Sequence, residues 1–254
     1  MKKIKYRGKI ILSLNKTTKD MYYIGDKYIE KRKAEHIKII GYLINNDINT
    51  QEPPQAILLG GGSASGKSTL SKQWLDAYEK NSIPITYIDC DEIKLLIPEY
   101  ENVKQYNEET AAVYVHDESS DIARELMEEC IAGKKNFLYD GTMKNLKKYQ
   151  HLIQHLKENG YNIVVTVVDV PLDEAKKRAY VRFLETGRSV PIQIIEESHR
   201  EVPKTFYVIK DMVDEYTLYD TTGIIPKEVI EKTIDGNILI HNQGRLDEFY
   251  NKSK

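Results

Sequence analysis

Residues Ile57 to Leu70 read ILLGGGSASGKSTL, and no other stretch narrows the possible folds as much. An apolar run stops at glycines. Gly61-Gly62-Ser63-Ala64-Ser65-Gly66-Lys67-Ser68 then satisfies the phosphate-binding pattern G-x-x-x-x-G-K-[ST], with a strand expected before it and a helix after it. Glycines let backbone N–H groups turn inward on a polyphosphate that side chains would keep away. The helix N-terminus adds partial positive charge, Lys67 suits the terminal phosphates, and the Ser68 hydroxyl suits Mg²⁺. The nucleotide-binding set expected from the motif is Gly61, Gly62, Ser63, Ala64, Ser65, Gly66, Lys67, Ser68 and Thr69. A chance match in a glycine-rich turn is the plain alternative, and the flanking strand and helix signals weigh against it.

Composition narrows the partners. The 254 residues are 41% hydrophobic and 30% charged, enough for a full core and too apolar for general disorder. Lys+Arg number 37 against Asp+Glu 39, so there is no basic excess to hold a nucleic acid by counterion release. Cys90 and Cys130 make neither a metal-ligand spacing nor a disulfide framework, and read as reduced thiols. His151 and His155 are four apart, but no glutamate general base accompanies them, so a surface or packing role is expected. Ile10 to Leu14 is too short for a signal-peptide core, and no apolar stretch is long enough to span a bilayer. A cytoplasmic location is expected.

Along the chain, Tyr28 to Ile44 carries apolar residues at helical spacing, and Asn45 to Pro54 is a polar connection into a strand at Ala56 to Leu59. Further strands are predicted at Pro84–Ile88, Asn136–Tyr139 and Asn162–Val170, with late ones at Tyr216–Asp220 and Asn237–Asn242. Helices are predicted at Lys67–Lys80, in a zone from Asn102 to Ala132 broken near His116 to Ser119, at Leu146–Glu158, at Leu172–Thr186, and from Pro191 to about Val213. A short strand at Lys9–Leu14 completes the set. Alternating strands and helices predict an α/β fold: a parallel sheet flanked by helices, of the P-loop nucleoside triphosphate hydrolase kind, with an N-terminal helical extension. Residues 1–50 read as that extension packing on the core, and 51–254 as the P-loop domain with an arginine-bearing lid around 172–191.

In such a sheet, ligands gather at the carboxyl ends of the strands. That rule joins the phosphate loop to Asp89 and Asp91 after the second strand and to Asp140-Gly141-Thr142 after the third. Asp89 and Asp91 alternate if the chain stays extended, so one can face the phosphates and accept a hydroxyl proton; equally, Asp91 can be a helix N-cap. Asp140 can serve Mg²⁺ or a substrate hydroxyl and Thr142 a phosphate, or the three can simply form a tight turn. Arg178, Arg182 and Arg188 suit the oxygens of a transferring phosphoryl group, or are solvated surface residues. Glu118, near the predicted helix break, is a substrate-side candidate.

Taken together, GGGSASGKST, YIDCDEIKLLIPEY, NFLYDGT and DVPLDEAKKRAYVRFLETGRSVP resemble, in order, the zeta toxin family of P-loop kinases. The likeness runs from about Ala56 to Pro203. Studied members phosphorylate the sugar 3′-hydroxyl of UDP-N-acetylglucosamine, so the resemblance implies an ATP- and Mg²⁺-dependent kinase with a nucleotide-sugar acceptor and an antitoxin as a conceivable partner. By position, Lys67 matches the phosphate-binding lysine and Ser68 the Mg²⁺-side hydroxyl. Asp91 matches the catalytic base, and Arg182 and Arg188 the arginines around the transferring phosphate. Asp140 and Thr142 match a Glu-Gly-Thr segment that contacts substrate, with the family's glutamate one methylene shorter here. Asp89 and Arg178 are left as supporting residues. Kinases of NAD, nucleosides or RNA ends, and a nucleotide-dependent switch, are the competing readings; the absence of an N-K-x-D pattern weighs against a GTPase.

Overall fold

The computed structural model describes residues 3–6, 9–13, 16–48, 51–186 and 190–254. A hairpin of β1 (Lys3–Tyr6) and β2 (Lys9–Ser13) precedes α1 (Thr18–Tyr22), the small hairpin β3 (Tyr23–Ile24) and β4 (Lys27–Tyr28), and α2 (Glu30–Leu43). Then β5 (Gln55–Gly61) leads to α3 (Lys67–Lys80), and β6 (Thr86–Asp89) to α4 (Cys90–Leu96), α5 (Pro98–Lys104), α6 (Glu108–Tyr114) and α7 (His116–Ala132). After them come β7 (Phe137–Asp140), α8 (Leu146–Glu158), β8 (Asn162–Asp169), α9 (Leu172–Thr186) and α10 (Ile192–Ile209). The last elements are β9 (Glu215–Asp220), β10 (Lys227–Lys232), β11 (Ile238–Ile240) and α11 (Gln243–Asn251). No helix of the described residues is long and apolar enough to cross a membrane.

These elements form two compact units. One comprises the chain up to Ile44 with Ile88–Glu129, and the other Asn45–Tyr87 with Cys130–Lys254. The division differs from the expected split at residue 50, because the segment after β6 groups with the N-terminal residues.

The larger unit is built on a seven-stranded sheet in the order β11-β10-β9-β8-β5-β7-β6. β5 lies parallel between β7 and β8, and β8 runs parallel to β9. Residues Ala56 to Leu59 are fully buried, as are Ile163, Val165, Val167 and Val168 of β8. A strand covered on both faces needs a continuous apolar run rather than an alternating one, which is why these two segments are so legible. On α8, Tyr149, Ile153 and Leu156 are buried at helical spacing, and the Asn145 side chain caps the first turn by accepting from the Lys148 N–H. Each such buried side chain contributes roughly 1.5–3 kcal/mol. Trp74 and Tyr78 of α3 pack over Ile57, Leu138 and Val164.

β10 and α11 were not expected. In β10 a register shift between Glu228 and Ile230 leaves Val229 and Ile230 both buried, so the alternation that marks a strand is broken. α11 has only Leu246 and Phe249 buried, three apart, and its Phe249 ring meets Phe206 edge-on at 5.9 Å.

The smaller unit is organised by charge. Glu118, Asp121 and Glu125 share a face of α7 by their spacing. Glu118 is fully buried, and both of its oxygens are taken: Arg32 Nη2 donates at 2.7 Å, Arg32 Nε also donates, and His36 Nε2 lies at 2.8 Å. Arg32 reaches Glu99 of α5 as well, at 2.7 and 2.9 Å. Tyr28 donates to Asp121 at 2.8 Å, and Lys33 pairs with Glu125 at 2.8 Å. Glu118, read from the sequence as a substrate-side residue, is therefore an interior anchor whose lone pairs are spent on α2. Burial alone would raise its pKa, but the hydrogen bonds from Arg32 and His36 outweigh that and hold the carboxyl down to about 2. Burial would lower the His36 pKa, and its bonds to Glu118 and Glu125 raise it instead.

Two outcomes are expected. Arg32→Met should cost about 3–5 kcal/mol, because it strands a buried carboxylate, whereas the Arg32→Met/Glu118→Leu pair should recover most of that loss in urea unfolding. Glu118 has a lowered pKa, so its contribution is present above its ordinary 4.5 and lost as pH falls toward 2. His36 has a raised pKa, so its contribution is present below its ordinary 6.5 and lost as pH rises through the raised value. The stability gap between wild type and the double variant should therefore peak between about pH 4.5 and 6.5 in unfolding titrations.

Candidate functional site

Chain reversal at the end of β5 creates the site. Within the loop the Ser65 N–H donates to the Gly62 carbonyl at 3.2 Å, and the Thr69 N–H to the Gly66 carbonyl at 3.1 Å. Gly66 takes φ +91° as the N-cap of α3, a conformation that suits glycine, and no side chain caps the helix there. With the Thr69 N–H spent on Gly66, the remaining first-turn amides have no intrahelical acceptor, so this end, uncapped among the described residues, presents donors at the positive pole of the dipole. Ser65 is 1% exposed, and its Oγ makes no hydrogen bond among the described residues. A buried hydroxyl without a partner is costly, and a phosphate oxygen would satisfy it. The loop thus fits an anion on its own evidence. Lys67 is half-buried, and Ser68 and Thr69 are exposed.

In the same unit, Asp140 lies opposite Leu59 in the parallel register, and the Gly141 N–H donates to the Leu59 carbonyl at 3.2 Å. The segment Asp140-Gly141-Thr142 is thereby held at the edge where the phosphate loop leaves β5. The Tyr87 hydroxyl donates to Asp140 at 3.3 Å, and Thr142 is exposed. Ser68 and Asp140 offer the hydroxyl and carboxylate oxygens that Mg²⁺ prefers.

The acidic pair of the smaller unit is arranged otherwise than an extended chain would have it. Asp89 is the N-cap of α4 and accepts from the Asp91 N–H at 2.8 Å. Asp91 is helical, exposed, and paired with Lys94 at 2.7 Å. The capping role considered for Asp91 therefore belongs to Asp89.

Arg178 and Arg182 lie one turn apart on α9, both half-buried. The Arg178 guanidinium donates to the Thr221 and Thr222 carbonyls at 2.7 and 3.2 Å and to Glu174 at 3.0 Å. That makes it a tie between α9 and the loop after β9. Arg188, with Gly187 and Ser189, lies outside the described residues.

Several further residues behind the loop support it. The Ser63 N–H donates to Ser198 Oγ at 3.0 Å, and His199 Nε2 lies 3.0 Å from the Ser63 carbonyl oxygen. The Thr221 hydroxyl donates to the Ser65 carbonyl. Asp169, the last residue of β8, is buried and bonded through both oxygens to Lys252 at 2.6 and 2.7 Å, with Arg245 of α11 at 3.5 Å. Burial pushes the Asp169 carboxyl up and the Lys252 ammonium down, against the attraction between them. The rule that picked out Asp89 and Asp140 at strand ends would also have found Asp169. Nothing local marks Ser198 or His199.

Residues 43–238 match the Zeta toxin family. The toxin PezT of Streptococcus pneumoniae serotype 4 is 24% identical over 167 residues, covering 65% of this chain and 63% of PezT, so the likeness spans less than two thirds of that relative. A structure from the PezAT chromosomal toxin–antitoxin system of Streptococcus pneumoniae superposes with a TM-score of 0.69 at 17% identity over 88% of each chain. The AvrRxo1-ORF1:AvrRxo1-ORF2 complex superposes at 0.74 with sulphate ions and 0.71 with ATP, each at 17% identity over 94% of this chain and 83% of the other. The fold is thus that of a mostly parallel sheet flanked by helices, and with the family match running from residue 43 to residue 238, this chain belongs to the Zeta toxin family.

Proposed function

We propose that this protein is an ATP- and Mg²⁺-dependent kinase that transfers the γ-phosphoryl group to a hydroxyl of a small, nucleotide-linked acceptor, with the sugar 3′-hydroxyl of UDP-N-acetylglucosamine as the best candidate. The observation that carries the reading is the pairing of an uncapped phosphate loop with the Asp140-Gly141-Thr142 edge on adjacent parallel strands. Family membership and the structural likeness to the AvrRxo1 complex with ATP support it. A protein partner that neutralises the activity belongs to the same reading, supported by the PezAT toxin–antitoxin system among the similar structures.

In this reading the loop amides, Lys67 and the α3 N-terminus bind the triphosphate, and Ser68 with Asp140 would hold Mg²⁺. When bound, the cation neutralises phosphate charge. Asp91 accepts the acceptor's hydroxyl proton as the new O–P bond forms and the bond to ADP breaks. Its support is the family motif and its exposed carboxylate beside Lys94. Arg182 and Arg188 stabilise the charge on the transferring group, with most of the rate coming from positioning and electrostatics. Thr142 holds the acceptor, joined by Asp140 in the alternative where that carboxylate serves a substrate hydroxyl rather than Mg²⁺, with Asp89 as a supporting residue.

Incubation with γ-labelled ATP, Mg²⁺ and UDP-N-acetylglucosamine should yield a phosphorylated nucleotide sugar. Transfer to NAD, a nucleoside or an RNA end with UDP-N-acetylglucosamine untouched would move the acceptor to another class. ATP binding without transfer to any of a broad metabolite panel would replace the kinase with a nucleotide-dependent switch. Asp91→Asn should keep ATP affinity and lose turnover by about 10²–10⁴-fold, the usual contribution of a general base. Near-normal turnover in that variant would remove Asp91 from the role.

A further inference from the structure

His199 lies on α10, far in sequence from the phosphate loop, yet its ring faces the loop's second glycine. A Cβ on Gly62 would sit 2.4 Å from His199 Cδ2, so the backbone approaches the ring at a distance only glycine allows. The ring is 2% exposed, and its Nε2 is 3.0 Å from the Ser63 carbonyl oxygen, while the neighbouring Ser198 Oγ accepts from the Ser63 N–H. Successive residues of α10 therefore hold both backbone polar groups of one loop residue. Ser63 is two residues before Ser65, whose buried Oγ has no partner among the described residues.

We propose that His199 is a positioning residue of the phosphate loop, donating its Nε2–H to the Ser63 carbonyl so that the loop's amides face an incoming triphosphate. The inference rests on reading this loop as the ATP site. A carbonyl accepts and cannot donate, so the neutral ring carries its one proton on Nε2 and leaves Nδ1 bare. The surroundings agree with that tautomer. Among the described residues Nδ1 makes no hydrogen bond, and the nearest carboxylate oxygen, Asp169 Oδ1, lies at 3.8 Å, too far to accept from an Nδ1–H. Burial, with the nearby positive charges of Lys252 and Lys67, holds the ring's pKa well below the ordinary histidine value, at about 4. The ring is neutral at physiological pH, and its role is geometric rather than catalytic.

The test has two independent arms. Long-range ¹⁵N NMR of the histidine rings in the wild-type protein should show His199 as the Nε2–H tautomer at pH 7; an Nδ1–H tautomer or a charged ring overturns the proposal. In binding and kinetics, His199→Ala should raise both Kd and KM for ATP about tenfold and leave kcat within about twofold, the size expected for one buried hydrogen bond. His199→Gln carries an amide N–H at similar reach and should restore ATP affinity to within about threefold of wild type. Wild-type ATP affinity in His199→Ala, or a loss that glutamine does not rescue, overturns it. If the alanine variant fails to fold by circular dichroism, the tautomer and the glutamine variant decide. Failure of the wild-type protein itself to bind ATP would instead overturn the nucleotide reading, and the NMR arm separates the two.

Discussion

The buried end of β5 is the constraint on which the larger unit depends. A strand whose side chains are covered on both faces must leave the sheet at Gly61 and become a helix at Lys67, within a loop whose backbone has few partners of its own. Backbone groups in such a turn need acceptors and donors from elsewhere. α10 supplies them to Ser63, the Thr221 hydroxyl serves the Ser65 carbonyl, and the β7 edge takes the Leu59 carbonyl through Gly141. The amides left over are those of the uncapped α3 N-terminus, and they give the loop its affinity for an anion. The same accounting explains why Asp169 is buried beside Lys252 and Arg245: it anchors α11 at the carboxyl end of β8, next to the carbonyl that Thr221 also uses.

The smaller unit solves a different problem. It places four acids, Glu99, Glu118, Asp121 and Glu125, where water is partly or fully excluded, and answers them with Arg32, Lys33, His36 and Tyr28. A buried ion network gives little net stability over an apolar core, but leaving any one member unpaired is severe. Its effect is to specify how the N-terminal residues dock, and it explains why they group with the helices after β6 rather than forming an appendage.

Legibility from sequence followed the range of the interactions. β5 and β8 are continuous apolar runs, and α8 is regular to its Asn145 cap and Gly160 stop, so local chemistry sufficed. β10 was missed because its bulge destroys the period of two, and α11 because two buried residues make too faint a stripe. The sequence leaves Asp91 open between helix N-cap and catalytic carboxylate, because an N-cap aspartate and a first-turn aspartate look alike until the last strand residue is known. Glu118 stood out as an acid near a helix break, but its partners lie 82 and 86 residues away. The spacing of Glu118, Asp121 and Glu125 was the signal that an acidic face, rather than a lone ligand, was present.

The residues by themselves determined that a phosphate loop stands between a buried strand and a helix, because glycine spacing, lysine and apolar periodicity are local properties of contiguous chain. They also placed Asp140 and Thr142 at a strand end, where the parallel register then set them beside the loop. Tertiary structure alone decided what holds that loop in shape. Ser198 and His199 are ordinary residues of an amphipathic helix until α10 packs, and Lys252 is one of many lysines until it meets Asp169. Such roles arise from burial and from the need to satisfy every polar group that burial cuts off from water, and no local pattern encodes which groups those will be.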